Sequence, residues 1–318
     1  LSKQSLDELQ SGARVEVDER KRHPLDFALW KSEKPGEPSW ESPWGKGRPG
    51  WHIECSAMSM KYLGETIDIH SGGTDLTFPH HENEIAQAEA ATGKTFVRYW
   101  LHNGYLLIDK EKMSKSLGNF MTARAARGRF SPLSLRMFML SAHYRSPISF
   151  SEEGLIQASA AVERLLNCWY DLAHAMVNRD LSAAPQKHIR RSFEVLYKKF
   201  HEAMDDDFNT AAAMGVVFEI ARLINTYLKN ETLLDKEILE KTESFFRKVD
   251  KIMGVLGLEE LDTVGSSSEW IENLIQQRDQ ARQTRDFDKA DAIRKELQDK
   301  GIVLEDTPQG TKWKKQFS

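Results

Sequence analysis

Apolar residues in the second half of the chain recur at spacings of three and four. Leu155, Ala158, Val162, Leu165, Trp169 and Leu172 form one stripe, which predicts an amphipathic helix with that stripe turned to a core. Ser151 is placed to be its N-cap, and Glu152 and Glu153 fall in the first turn, where carboxylates suit the helix dipole. Phe193, Leu196, Phe200 and Met204 predict a second helix. Phe218, Leu223, Ile224, Tyr227 and Leu228 predict a third, and Phe245, Val249 and Ile252 a fourth. Residues 131–256 are therefore expected to form an antiparallel helical bundle. The polar stretch 257–268 reads as a linker. Helices are expected over 269–283 and 287–299, with Gly301 in the C-terminal cap position. "IVLED" and "TKWKK" read as strands around a "TPQG" turn, so 257–318 forms a small α+β module.

The first 130 residues follow a different pattern. Residues 1–25 are highly charged and read as a connecting segment. Residues 36–50 are rich in Gly, Pro and Trp and predict an ordered loop with no regular element. "TIDIHSGGTD" reads as a short strand entering a Gly-Gly turn, and "HHENEIAQAEAAT" as a helix. "VRYWLHNGYLLID" reads as another strand region with a turn at Asn103-Gly104. Strands alternating with helices predict a doubly wound parallel sheet over 1–130. The expected fold class is thus α/β followed by all-α, with an α+β module at the end.

The 318 residues suffice for two or three domains. An apolar fraction of 40% and a charged fraction of 29% are close to those of ordinary soluble proteins, and no apolar run reaches bilayer length. No membrane association is expected. No secretory or transit segment is recognised, and because Leu1 is not a methionine the natural start is expected upstream. Only two cysteines are present, Cys55 and Cys168, which excludes a disulfide scaffold and fits a reducing cytosol. The net charge of −4 means that any nucleic-acid contact must come from local basic patches. Arg124, Arg127 and Arg129 form one such patch, and Lys312, Lys314 and Lys315 around Trp313 another. Phosphates can meet these patches while unpaired bases stack on an aromatic or an arginine.

Two constellations carry candidate chemistry. Cys55, His80 and Glu84 combine a thiolate, an imidazole and a carboxylate, all acceptable to zinc. Residues 80 and 84 share one helix face, and three protein ligands leave a coordination position open. A buried small thiol beside a hydrogen-bonded His–Glu pair accounts for the same spacing, and His81 and Glu82 are rival ligands. In "EKMSKSLGN", Lys112 and Lys115 lie three residues apart among small residues, and two ammonium groups there can neutralise charge on a departing phosphate. A solvated lysine loop has the same composition. The "SGGTD" turn after a strand can admit a nucleotide at the carboxyl edge of a sheet.

"KMSKS" at 112–116 resembles the second signature loop of class I aminoacyl-tRNA synthetases. "GWHIECSAM", "FPHHENEIAQ", "HYRSPISFSEE", "AMDDDFNTAAA" and "DTPQGTKW" together resemble the cysteinyl-tRNA synthetase family, from about residue 22 to the end. The resemblance implies that residues 1–130 are the second half of a Rossmann-type (HUP-like) catalytic domain, and that the bundle includes a stem-contact and a DALR-type domain. It implies that 257–318 reads an anticodon. Cys55, His80 and Glu84 match three zinc ligands; the fourth, a cysteine in the N-terminal half, has no counterpart. Trp51 matches a tryptophan of the amino-acid pocket, and the "GGTD" turn with Gly73 and Asp75 matches the region around the adenosine. Lys112 and Lys115 match the catalytic loop, with Lys115 at the ATP. Arg282, Asp291 and Asp306 fall in the region that reads the anticodon, and Cys168 is read as core.

The activity so implied is ATP-dependent activation of L-cysteine, with Mg2+ accompanying ATP and Zn2+ as cofactor, followed by transfer to tRNA(Cys). Zinc would select a soft thiolate over a hydroxyl where a hydrophobic pocket discriminates poorly. A monomeric, cytoplasmic protein is expected. The His-Ile-Gly-His type of signature is absent, so this polypeptide alone is expected to lack full adenylation activity. Two other readings stay open: a cysteine-activating amino-sugar (mycothiol-type) ligase, and a non-catalytic tRNA-binding fragment.

Overall fold

A computed structural model describes residues 1–3, 21–23, 25–108, 111–112, 121–265, 268–307 and 310–315. The chain divides into two units, Leu1–Tyr105 and Leu106–Ser318.

In the first unit, β1 (Trp30–Ser32) pairs antiparallel with β2 (Gly47–Pro49). This corrects the expectation that 36–50 lacks regular structure. The ladder forms because Gly47 lets the strands close: a Cβ there would lie 2.2 Å from the Lys31 carbonyl oxygen. Trp40 extends the pairing through two backbone hydrogen bonds with Gly47. Helix α1 (Trp51–Leu63) follows and is missing from the sequence reading, because its apolar residues make no clear stripe. Then come β3 (Ile67–Gly73), two wound turns at Thr74–Leu76 and Thr77–His81, α2 (Glu82–Thr92) and β4 (Val97–Asn103). The second turn is interrupted at Phe78, whose bond to Pro79 is cis. Gly93 ends α2 in the left-handed conformation, φ 68°.

Strands β3 and β4 are parallel, with Ile67 opposite Val97 and Gly73 opposite Asn103, so α2 is the crossover of a βαβ unit. Ile67, Ala88, Phe96 and Val97 form its small core. Among the described residues this is a two-stranded parallel pair, whereas the sequence predicts a doubly wound sheet.

The second unit opens with β5 (Leu106–Ile108) and β6 (Glu111–Lys112), then α3 (Ala123–Arg127), α4 (Pro132–Leu140) and β7 (Ile148–Ser149). β5 lies between β6, antiparallel, and β7, parallel. Helices α5 (Glu152–Asn178), α6 (Lys187–Asp205), α7 (Thr210–Asn230), α8 (Lys236–Met253) and α9 (Leu258–Gly265) build the bundle. The predicted α5 stripe is buried at all six positions, Cys168 is core, and Ser151 accepts the Gly154 N–H as N-cap. On α8, Phe245 and Val249 are buried, whereas Ile252 is 47% exposed and lies off the core face. Helix α7 is long and apolar enough by composition to cross a membrane. Its Ala213, Val217, Ile220 and Ile224 are instead fully buried in the bundle core.

The stretch read as a polar linker contains α9, a second correction. Leu258 and Leu261, three apart, bury themselves in the bundle core, and the Asp250 carboxylate accepts the N–H groups of residues 256–258. Helices α10 (Ser268–Gln283) and α11 (Phe287–Asp299) and the hairpin of β8 (Ile302–Thr307) and β9 (Gly310–Lys315) complete the chain as the pattern predicts. Gly301 follows α11 with φ 73°.

Candidate metal and substrate site

The site forms where α1, α2 and the carboxyl ends of β3 and β4 meet. Cys55 lies on α1; His80 lies in the turn before α2, and Glu84 lies in the first turn of α2. One ligand atom from each of Cys55, His80 and Glu84 lies within 4.8 Å of the others. A second set, His70, His81 and Glu84, meets the same criterion and shares the carboxylate. Of the rival ligands named from sequence, His81 thus belongs to this second set. Glu82 instead accepts the backbone N–H of Ser2 at 2.5 Å.

Glu84 is fully buried, an arrangement that requires compensation. Its Oε2 accepts a hydrogen bond from His70 Nε2 at 2.6 Å. Its Oε1 lies 2.6 Å from His80 Nε2, yet accepts no hydrogen bond. A buried anionic oxygen without a donor, beside an imidazole nitrogen and a thiol, suits a divalent cation. His80 Nδ1 lies 2.7 Å from His52 Nδ1, so one ring must donate to the other. A proton on His80 Nδ1 leaves the lone pair of Nε2 facing Glu84 and the metal position.

Burial lowers the His80 and His52 imidazoles, with Glu84 opposing the fall. Burial likewise brings His81 down to about 4. Burial first, and then the Glu84 and Glu54 carboxylates, push the Cys55 thiol up. The imidazoles are therefore held neutral, as ligands must be. The thiol stays protonated unless a cation offsets the two carboxylates.

Around these groups lies a ring of aromatics. Trp51, the first residue of α1, stacks on His80 at 4.1 Å and 20° while remaining 54% exposed. His81 Nδ1 meets His102 Nε2 at 2.8 Å, and Trp100 packs on His70, His81 and His102. Gly72 makes room for this layer, because a Cβ there would lie 2.9 Å from His81 Cε1. Gly73 likewise leaves room for the Asp75 carboxylate in the exposed turn after β3.

Sequence reasoning missed His52, His70, His102, Ser56 and Gln87. Ser56 Oγ donates to Gln87 Oε1 at 2.9 Å and ties α1 to α2. One signal was available: five of the ten histidines fall between residues 52 and 102. Their convergence depends on strand register, which places Gly72 beside His102.

The remaining predicted site residues lie in the second unit. Lys112 is the last residue of β6, paired with Leu107; its side chain and all of Lys115 lie outside the described residues. Arg124 and Arg127 are exposed on α3, whereas Arg129 is held by Glu152 at 2.9 Å. Trp313 donates Nε1–H to Glu272 and packs against Tyr170. The side chains of Lys312, Lys314 and Lys315 lie outside the described residues.

Asp306 is bound on both oxygens. Arg278, itself 4% exposed, donates to Oδ1 and Oδ2 at 2.9 Å each, Thr311 donates to Oδ1, and Arg282 reaches Oδ2 at 2.9 Å. The Arg278 guanidinium holds the Asp306 carboxyl well below the usual range. Asp291 is exposed on α11.

A βαβ unit followed by a helical bundle is an architecture shared with class I aminoacyl-tRNA synthetases. The model of the class I (C) tRNA synthetase catalytic domain matches residues 1–160, the DALR domain matches 199–258, and the cysteinyl-tRNA ligase anticodon-binding domain matches 266–313. The chain belongs to the cysteinyl-tRNA ligase family. It is 55% identical to the cysteine–tRNA ligase of Geobacillus thermodenitrificans and 53% identical to that of Anoxybacillus flavithermus, each over 99% of this chain. It spans 66% and 67% of the length of those two relatives. The fold is also similar to the LeuRS–tRNA–LeuAMS complex of Agrobacterium radiobacter K84. That match has a TM-score of 0.53 at 15% identity, covering 71% of this chain and 34% of that one.

Proposed function

We propose that this chain supplies the C-terminal two-thirds of a cysteine–tRNA ligase, which activates L-cysteine with ATP and transfers it to tRNA(Cys). One observation carries the reading: Cys55, His80 and Glu84 converge on a point where the buried Glu84 Oε1 lacks a hydrogen-bond donor. In this reading those three side chains hold zinc, which when bound supplies a soft Lewis acid that favours the substrate sulfur over a serine hydroxyl.

The protein's own residues orient that site. His52 fixes the tautomer of His80, and His70 fixes the Glu84 carboxylate by donating to Oε2. Trp51, stacked on His80 and open to solvent, forms a flat wall for the amino acid. Gly73 and Asp75 sit at the carboxyl edge of the parallel pair, where α/β folds take nucleotides, and are assigned to ATP. Lys112 and Lys115 are assigned to the pyrophosphate that leaves. Residues 1–130 act as the second half of a Rossmann-type domain, and the exposure of Ile69 and Tyr99, neighbours on β3 and β4, supports further packing on that pair. Residues 131–256 serve as the tRNA stem-contact bundle and 257–318 as the anticodon reader, with Arg282, Asp291 and Asp306 facing the RNA. That last module favours tRNA over an amino sugar as the acceptor. We place the protein in the cytosol as a monomer, in keeping with two unpaired cysteines.

The test is ATP–pyrophosphate exchange by the zinc-loaded full-length enzyme, with cysteine against serine. Strong preference for cysteine is expected, and comparable turnover of the two would refute the zinc filter. Lys115→Ala should slow adenylate formation by roughly 100-fold while cysteine affinity stays near wild type.

A further inference from the structure

We infer that His70, His81 and the second oxygen of Glu84 form a further divalent-cation site, joined through that carboxylate to the one proposed above at Cys55, His80 and Glu84. A ligand atom from each of His70, His81 and Glu84 lies within 4.8 Å of the other two. Two imidazoles and a carboxylate are a donor set used by three-ligand zinc sites that keep a coordination position open. Glu84 can serve both sites because its two oxygens face different neighbours. Oε1 lies 2.6 Å from His80 Nε2, and Oε2 lies 2.6 Å from His70 Nε2. Cations held on the two oxygens of one carboxylate would stand about 3.5–4 Å apart, the separation found in two-metal sites.

The three donors come from ordered elements. β3 delivers His70, the wound turn before α2 delivers His81, and α2 delivers Glu84. His81 is 1% exposed. Its Nδ1 meets His102 Nε2 at 2.8 Å, and Trp100 packs on its ring with centroids 5.0 Å apart. An imidazole fixed by a partner on one nitrogen is oriented as metal-bound histidines are. His70 differs, because its side chain is 23% exposed and gives an ion a way in. A hydrogen-bonded His70–Glu84 pair accounts for one of these contacts. It does not account for a second imidazole held near the same carboxylate and fixed from behind by His102.

His70 donates Nε2–H to Glu84 when only the first cation is bound. On arrival of the second, that proton moves to Nδ1 and Nε2 offers its lone pair, so the imidazole stays neutral. The donors are nitrogen and oxygen, without sulfur, which suits a borderline cation such as Zn2+ or Co2+. Two divalent ions on one carboxylate repel each other, so the second binds at higher free metal than the first. This inference rests on the zinc reading of Cys55, His80 and Glu84 and adds a cation to it.

The test loads the full-length apoenzyme with Zn2+ or Co2+ at buffered free concentrations. Bound metal is counted by elemental analysis for wild type, His70→Gln and His81→Gln. Wild type should take up two equivalents in sequence. The first cobalt should show a thiolate-to-metal charge-transfer band in the near ultraviolet. The second should add only ligand-field absorption and, by coupling to the first, weaken its electron paramagnetic resonance signal. Both variants should keep the first equivalent with its band, which also reports a folded site, and bind the second at least about tenfold more weakly. His70→Gln keeps an N–H for Glu84 while removing the imidazole lone pair, so it decides the matter if His81→Gln does not fold. Saturation of wild type at one equivalent would overturn the second site and leave the zinc reading standing. A second equivalent retained undiminished by the variants would be adventitious and would overturn it as well. Bound cobalt without any charge-transfer band would overturn the thiolate site itself, and the bridged pair with it.

Discussion

At the scale of single residues, the site depends on small side chains as much as on ligands. Gly72 has no room for a methyl group, because His81 and Leu76 are already in contact range. Gly72→Ala should therefore shift His81, cost about 1–3 kcal/mol of stability and lower metal affinity. Thermal melts paired with metal titration check this; unchanged zinc affinity would detach Gly72 from the site. Cys55→Ser keeps the shape of the side chain but removes the soft donor. The purified variant should lose most of its zinc by elemental analysis and retain its far-UV circular dichroism, since no core cluster contains Cys55. Full zinc occupancy in Cys55→Ser would remove that residue from the ligand set.

At the scale of elements, two ion pairs, each with one buried partner, pin helices and strands together. Asp235 is the N-cap of α8, accepts the Gln186 N–H, and binds Arg190 through both oxygens at 2.6 and 2.7 Å. The Arg190 guanidinium brings its carboxyl down from the ordinary 3.8 to about 2. Because the folded value lies below the unfolded one, the stabilisation is complete above about pH 4 and fades as pH falls toward 2. The stability gap between wild type and Asp235→Asn, measured by urea unfolding, should close over that window; a gap constant from pH 7 to 2 would exclude the mechanism. At pH 7, Asp235→Ala should lower the urea midpoint, because Arg190 loses one of its two carboxylate partners and α8 its cap.

In the terminal module, Asp306 holds the buried Arg278 and orients Arg282, whereas Asp291 is exposed. Asp306→Asn should reduce both thermal stability and tRNA affinity, and Asp291→Asn only affinity. Equal stability of the two variants would contradict the positioning role of Asp306. The sequence could suggest that Asp306 matters near RNA, but not that all its lone pairs are engaged by the protein. Its partners lie 28, 24 and 5 residues away and meet only through the β8–β9 hairpin packed on α10.

At the scale of the whole chain, the two units carry unequal cores. The first rests on Ile67, Ala88, Phe96 and Val97, while the second buries a continuous core drawn from α4 to α9. Apolar burial is the main favourable term in folding, so the first unit should unfold at lower temperature than the second. Calorimetry should resolve two transitions, with zinc raising the lower one. A single two-state transition insensitive to zinc would argue against separate cores and against a metal in the first unit.

Helical spacing was enough to locate α5 to α8, because one apolar stripe per helix is a local signal and the core simply accepts it, and the TPQG turn between two short runs marked the terminal hairpin. Cys55, His80 and Glu84 could be named as candidate donors from residue type, and an i,i+4 interval joins the last two, but the chain alone left His81 and Glu82 as rivals. The tertiary structure decided what no interval records. It brought β3 beside β4 in a register that delivers His102 to His81, and it laid α1 on α2 so that Ser56 meets Gln87. It also turned a polar-looking stretch into α9 by offering Leu258 and Leu261 a core to enter. Contacts between distant segments depend on packing and strand register, and a single sequence carries no local trace of either.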